Sequence, residues 1–109
     1  MKRAAAIGLA IAVLAAAPPA RADAIDGEWC SAKGANLIID GPKIRTPAGI
    51  NATGQYSRHA FLYQPPEGDP DRGLMIFMEL FNEELMVLTR VRNGVADKAE
   101  EWRRCNVTS

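Results

Sequence analysis

Residues 74–91 read LMIFMELFNEELMVLTRV, and two structures compete for them. Apolar residues at 74, 77, 78, 81, 85 and 88 fit one stripe of an amphipathic helix, and Leu, Met and Glu favour helix intrinsically. Against this, LMIFMELF is almost continuously apolar, as a strand buried on both faces would be, while Leu85, Val87 and Thr89 alternate with Met86, Leu88 and Arg90. Asn82-Glu83-Glu84 then becomes a tight connection and the stretch a β-hairpin. The hairpin is the preferred reading because strands elsewhere need partners, and the helix stays open at this point. Glu79 shares a strand face with Met75, Phe77 and Phe81, so it lies at an edge, pairs with an arginine, or faces water from a helix.

Outward from this stretch, Gly, Pro, Asn and Asp recur at short intervals between short apolar runs, the rhythm of an antiparallel β domain. Strands are expected at Gly27 to Ser31, Asn36 to Ile39 and Lys43 to Thr46. The last two are joined across Asp40-Gly41-Pro42, where Asp-Gly is a good hairpin turn. A longer strand is expected from Thr53 to Gln64, followed by the loop PPEGDPDRG. After the turn at Asn93-Gly94, a final strand runs from Glu100 to Cys105. The fold class is therefore all-β, a small antiparallel barrel or curled sheet of six to eight short strands.

The chain opens Met1-Lys2-Arg3, and residues 4–17 form an apolar run too short for a stable bilayer span. Pro18-Pro19 and the A-x-A pattern Ala20-Arg21-Ala22 follow, so residues 1–22 read as a cleavable signal helix cut after Ala22. Asp23, not cysteine, stands after the cut, which argues against a lipid anchor. Removing 22 of the 109 residues leaves 87, one small domain spanning 23–109. Three of the thirteen basic residues leave with the leader, so ten basic residues face thirteen acidic ones. No basic surface is implied, and nucleic acid is not an expected partner.

A domain of this size usually needs a staple. Cys30 and Cys105, one near each end of the mature chain, are expected to form a disulfide in an oxidising compartment. Closing such a loop is worth roughly 4 to 4.5 kcal/mol in the chain-entropy account. A redox pair would be a close-spaced C-x-x-C, which is absent. If the first and last strands are neighbours, the bond fastens the seam. Trp29 and Trp102 would point inward and the two sulfurs outward.

TGQYSRHAFLYQPP holds the single histidine and both tyrosines. On one strand, Ser57, His59, Phe61 and Tyr63 would share a face, and Tyr56, Arg58, Ala60 and Leu62 the other. Ser57 and His59 do not make a nucleophile and base, since no elbow and no orienting acid accompany them. Tyr56, Arg58, His59 and Tyr63 are instead a candidate binding surface. Glu67, Asp69 and Asp71 alternate as the first calcium ligands of an EF-hand do, but Met78 stands where the bidentate Glu belongs, so a solvated loop is expected. One histidine and two bonded cysteines cannot form a zinc site, and no metal or cofactor is expected. Arg103 and Arg104 beside Trp102 are ordinary surface charges or a cation–π cap on a barrel end.

Trp29-Cys30, Gly54-x-Tyr56-x-Arg58-His59-x-Phe61-x-Tyr63-x-x-Pro66 and Trp102-x-Arg104-Cys105 together resemble a family of short exported proteins of Gram-negative bacteria, over nearly the whole mature chain. No activity attaches to that family, so the resemblance implies an address and a disulfide. A more distant similarity, to the small periplasmic inhibitors of c-type lysozyme, rests on a cysteine near each end and on Thr53-Gly54-x-Tyr56. It implies a compact antiparallel barrel, although no lysine follows that segment until Lys98. Gly27-x-Trp29 is similar to the opening motif of lipocalins, whose chains are about twice as long.

The expected function is that of a non-enzymatic periplasmic or secreted binding module, presenting the Tyr56 to Tyr63 strand to a protein or envelope component without a membrane anchor. A lysozyme-type enzyme inhibitor and a small-molecule carrier are the alternatives. An enzyme is not expected, because nucleophile, base and orienter do not occur together.

Overall fold

The structure, a computed structural model, describes residues 24–105. The leader and its cleavage point lie outside the described residues. Ten short strands make one antiparallel sheet: β1 Gly27–Ser31, β2 Asn36–Asp40, β3 Lys43–Arg45, β4 Asn51–Thr53, β5 Gln55–Ser57, β6 Ala60–Tyr63, β7 Met75–Asn82, β8 Leu85–Arg92, β9 Val95–Ala96 and β10 Glu100–Arg104. No helix occurs among the described residues.

Residues 74–91 form the hairpin β7–β8, with Glu83-Glu84 at its turn and a bulge between Leu80 and Asn82. The strand order β4-β3-β2-β1-β10-β8-β7-β6-β5 brings the first and last strands together. It also places at its two ends β4 and β5, which are separated in sequence by Gly54 alone. The run 51–57 is thus one kinked strand whose first half pairs with β3 and whose second half pairs with β6. Likewise β9 and β10 follow one another along the same edge of β8. Two of the ten elements are therefore continuations, and the sheet has eight strand positions around a nearly closed barrel.

Gly54 is required at the kink. A Cβ there would stand 2.5 Å from the Leu62 carbonyl oxygen and 2.8 Å from Tyr63 Cβ. Beyond it β4 runs toward Pro65-Pro66, which have no N–H to continue a ladder.

The expectation of one strand from Thr53 to Gln64 is corrected. The chain turns back at Arg58-His59, so Tyr56 lies opposite Phe61 and Ser57 opposite Ala60. Backbone bonds from other segments hold this turn: Ile25 N–H donates to the Arg58 carbonyl at 2.8 Å, and Leu80 N–H to the His59 carbonyl at 2.8 Å.

Inward residues alternate along every long strand and fill the barrel: Trp29, Leu37, Ile39, Ile44, Phe61, Tyr63, Ile76, Met78, Met86, Leu88 and Trp102. Both tryptophans are buried while Cys30 and Cys105 remain half-buried on the outside, joined across a Cα separation of 5.2 Å. The disulfide spans the β1–β10 pairing, where Cys30 lies opposite Arg103. It is compatible with an oxidising, extracytoplasmic compartment.

Candidate interaction surface

Each barrel end is closed by an inward-facing arginine. At one end Arg104 stacks on Trp29, 4.1 Å from the ring centre. Its Nε donates to the Glu83 carbonyl, Nη1 to that of Asp26 and Nη2 to that of Ala24. The cation–π partner is therefore Trp29 across the seam, whereas Arg103 pairs loosely with Glu101 on the surface. Gly27 leaves the room Arg104 needs, since a Cβ there would stand 2.5 Å from its Nη1. Ile25, fully buried, plugs this end, with its carbonyl accepting from Trp29 Nε1 at 2.9 Å. The Asp26 carboxylate accepts from Tyr56 Oη and from Gly41 N–H, bridging β5 to the β2–β3 turn.

At the other end Arg90 pairs with Glu100 at 2.7 Å and Asp71 at 3.3 Å, and Glu100 also accepts from Trp102 Nε1 at 3.1 Å. Burial opposes the Arg90 charge, but the two carboxylates outweigh it and hold its pKa above the ordinary value. The Asp71 contact fastens the 64–74 loop to the barrel. Most of that loop is solvated as expected, Glu67 included, but Asp69 is an exception: it is only 6% exposed and its Oδ2 has no hydrogen-bond partner. No group of three or more His, Cys, Asp or Glu suited to a metal occurs among the described residues.

The four residues expected to form one binding surface are divided. Tyr56, Arg58 and His59 stand exposed at the rim, the Tyr56 hydroxyl on the Asp26 carboxylate. Tyr63 is 4% exposed and faces the interior toward the opposite end, where burial, then Asp69 and Asp71, push its hydroxyl well above the usual tyrosine pKa. The inward position of Tyr63 on β6, on the same face as Phe61, causes the division. The interior is filled by aromatic and aliphatic side chains, and hollows lie at the barrel ends beside Arg104 and Arg90 and on the outer wall, where one of about 550 Å³ sits over β2, β3 and β4.

That outer wall has two unlike halves. Over β2 to β4 the outward residues are polar apart from Ile38: Asn36, Asp40, Lys43, Arg45, Asn51 and Thr53. Over β6 to β8 they are largely apolar, with Leu62, Phe77 and Thr89 side by side in one row, Met75 beside Val91 in another, and Ala60, Glu79 and Val87 in a third. At the rim of this half Phe81 is 72% exposed. It is the extra residue of the β7 bulge, a device that re-aims a side chain at a barrel rim. The tyrosines stand out in the sequence, and Phe81 does not. The available signal was the absence of polar alternation in MIFMELF.

No family model, curated protein or solved structure matches the chain. The surface is therefore read from its own chemistry.

Proposed function

We propose that this protein is a non-enzymatic binding module of the periplasm, exported by its leader, which docks a protein partner on the outer face of β6, β7 and β8. The observation that carries the reading is the pair of adjacent outward rows holding the half-buried apolar side chains Leu62, Phe77 and Val87, with Phe81 exposed at the rim beside them. Outward apolar surface that ends in an exposed aromatic marks interaction sites, and aromatic anchors dominate their energetics. Tyr56, Arg58 and His59 border the face and supply polar contacts around it. The filled interior favours this reading over a carrier that holds cargo inside the barrel.

Site-specific photocrosslinking in the producing cells tests the proposal. A photoreactive phenylalanine at position 81 is expected to give a discrete adduct, and the same group at Lys33, in the turn after β1, is not. Equal and diffuse labelling from both positions would refute it.

A further inference from the structure

We infer that the partner docked on the β6–β8 face is a second copy of this chain, seated through its β2–β4 face. The inference rests on the interaction reading above and names the occupant.

Two features of the outer wall complement each other. The first is a knob: Phe81, 72% exposed on its bulge, flanked by the exposed carboxylates of Glu79, Glu83 and Glu84. The second is the hollow of about 550 Å³ over β2 to β4. Ile38, 39% exposed, lies in its floor, and the exposed cations of Lys43 and Arg45 border it. Ile38 lies directly opposite Arg45, and Lys43 opposite Asp40, so the hollow carries net positive charge around an apolar floor. An aromatic ringed by three acids thus meets a hollow with Ile38 in its floor and, from Lys43 and Arg45 against Asp40, one net positive charge at its border. Burying a phenylalanine removes on the order of 150–250 Å² from water, enough to dominate a small contact. The flanking charges fix which face meets which.

Because knob and hollow are different surfaces, the contact is heterologous. Each added copy leaves one knob and one hollow open. Association should therefore produce a concentration-dependent series of sizes, not a single symmetric dimer.

Sedimentation velocity on the purified mature chain tests this. Wild type is expected to shift to larger species as concentration rises. Phe81→Asp removes the knob and Arg45→Glu reverses the hollow, and each should weaken self-association by about thirtyfold or more, the effect of losing a hot-spot anchor. Both positions are exposed, and circular dichroism checks that each variant folds. The decisive sample is the mixture. Phe81→Asp chains retain a hollow and Arg45→Glu chains retain a knob, so together they should form a discrete one-to-one dimer. A wild type that stays monomeric at all concentrations, association that both variants leave intact, or folded variants that fail to pair when mixed would each overturn the inference. If the wild type is monomeric while position 81 still captures a different protein in cells, the second copy is wrong and the interaction reading stands.

Discussion

Arg104 and Trp29 face each other across the pairing of the first and last strands, the guanidinium 4.1 Å from the ring centre. This contact sits at the closing seam and ties three separate carbonyls, from residues 24, 26 and 83, to one side chain. Arg104→Ala should cost about 2–4 kcal/mol, since it removes a stacked cation and leaves part-buried carbonyls without a donor. Arg104→Lys should recover only part of this, because an ammonium cannot reproduce the planar fork. Urea denaturation of the three proteins gives the comparison.

Gly54→Ala forces a Cβ to within 2.5 Å of the Leu62 carbonyl oxygen and 2.7 Å of Phe61 Cε1. The first neighbour is backbone and cannot rotate away. A loss of about 2 kcal/mol or more is expected, at the upper side of overpacking costs. Gly34→Ala has open space around its Cβ and should cost less despite its positive φ. Thermal melts of the pair decide this.

Tyr63 sets an alkaline limit. Its folded-state pKa is raised by burial and by Asp69 and Asp71, so the neutral hydroxyl is favoured by folding. The stability it contributes is fully present below the ordinary tyrosine pKa near 10 and is lost as pH rises beyond that value, where the unfolded chain ionises first. Stability measured from neutral pH upward should fall above about pH 10, and the Tyr63→Phe variant should show a shallower fall. Identical slopes would contradict the assignment.

The Cys30–Cys105 bond closes a loop across a sequence separation of 75. Replacing both cysteines with serine should lower stability by roughly 2–4.5 kcal/mol. The β1–β10 seam should be affected most, seen as faster amide exchange at Trp29 and Trp102 than in the β7–β8 hairpin.

Much of the fold was legible in the residues. Gly27 to Ser31 and the turn at Asn93-Gly94 carry conventional strand and turn signals that the sheet follows, and the β2–β3 turn falls within the expected Asp40-Gly41-Pro42, on Gly41-Pro42, with Asp40 ending β2 opposite Lys43. The segment 53–64 was not legible, because its turn falls on Arg58-His59, neither of them a turn former, and is held by carbonyl contacts to Ile25 and Leu80 that no local pattern reveals. Asp69 read as a solvated loop acid for the same reason: a tertiary fold of the 64–74 loop buries it. The ambiguity of residues 74–91 has a physical source. A barrel strand facing water on one side should alternate, whereas β7 is apolar inside through Ile76, Met78 and Leu80 and outside through Met75, Phe77 and Phe81. The feature that made helix and hairpin hard to tell apart is the same feature that marks the candidate docking face.

Cys30 and Cys105 are expected to be joined across the β1–β10 seam in the compartment where the protein resides. Peptide mapping under non-reducing conditions, on protein alkylated at the moment of cell lysis, tests that directly. One linked species containing Cys30 and Cys105 and no alkylated cysteine is expected; recovery of both residues as alkylated free thiols would contradict the stapled barrel.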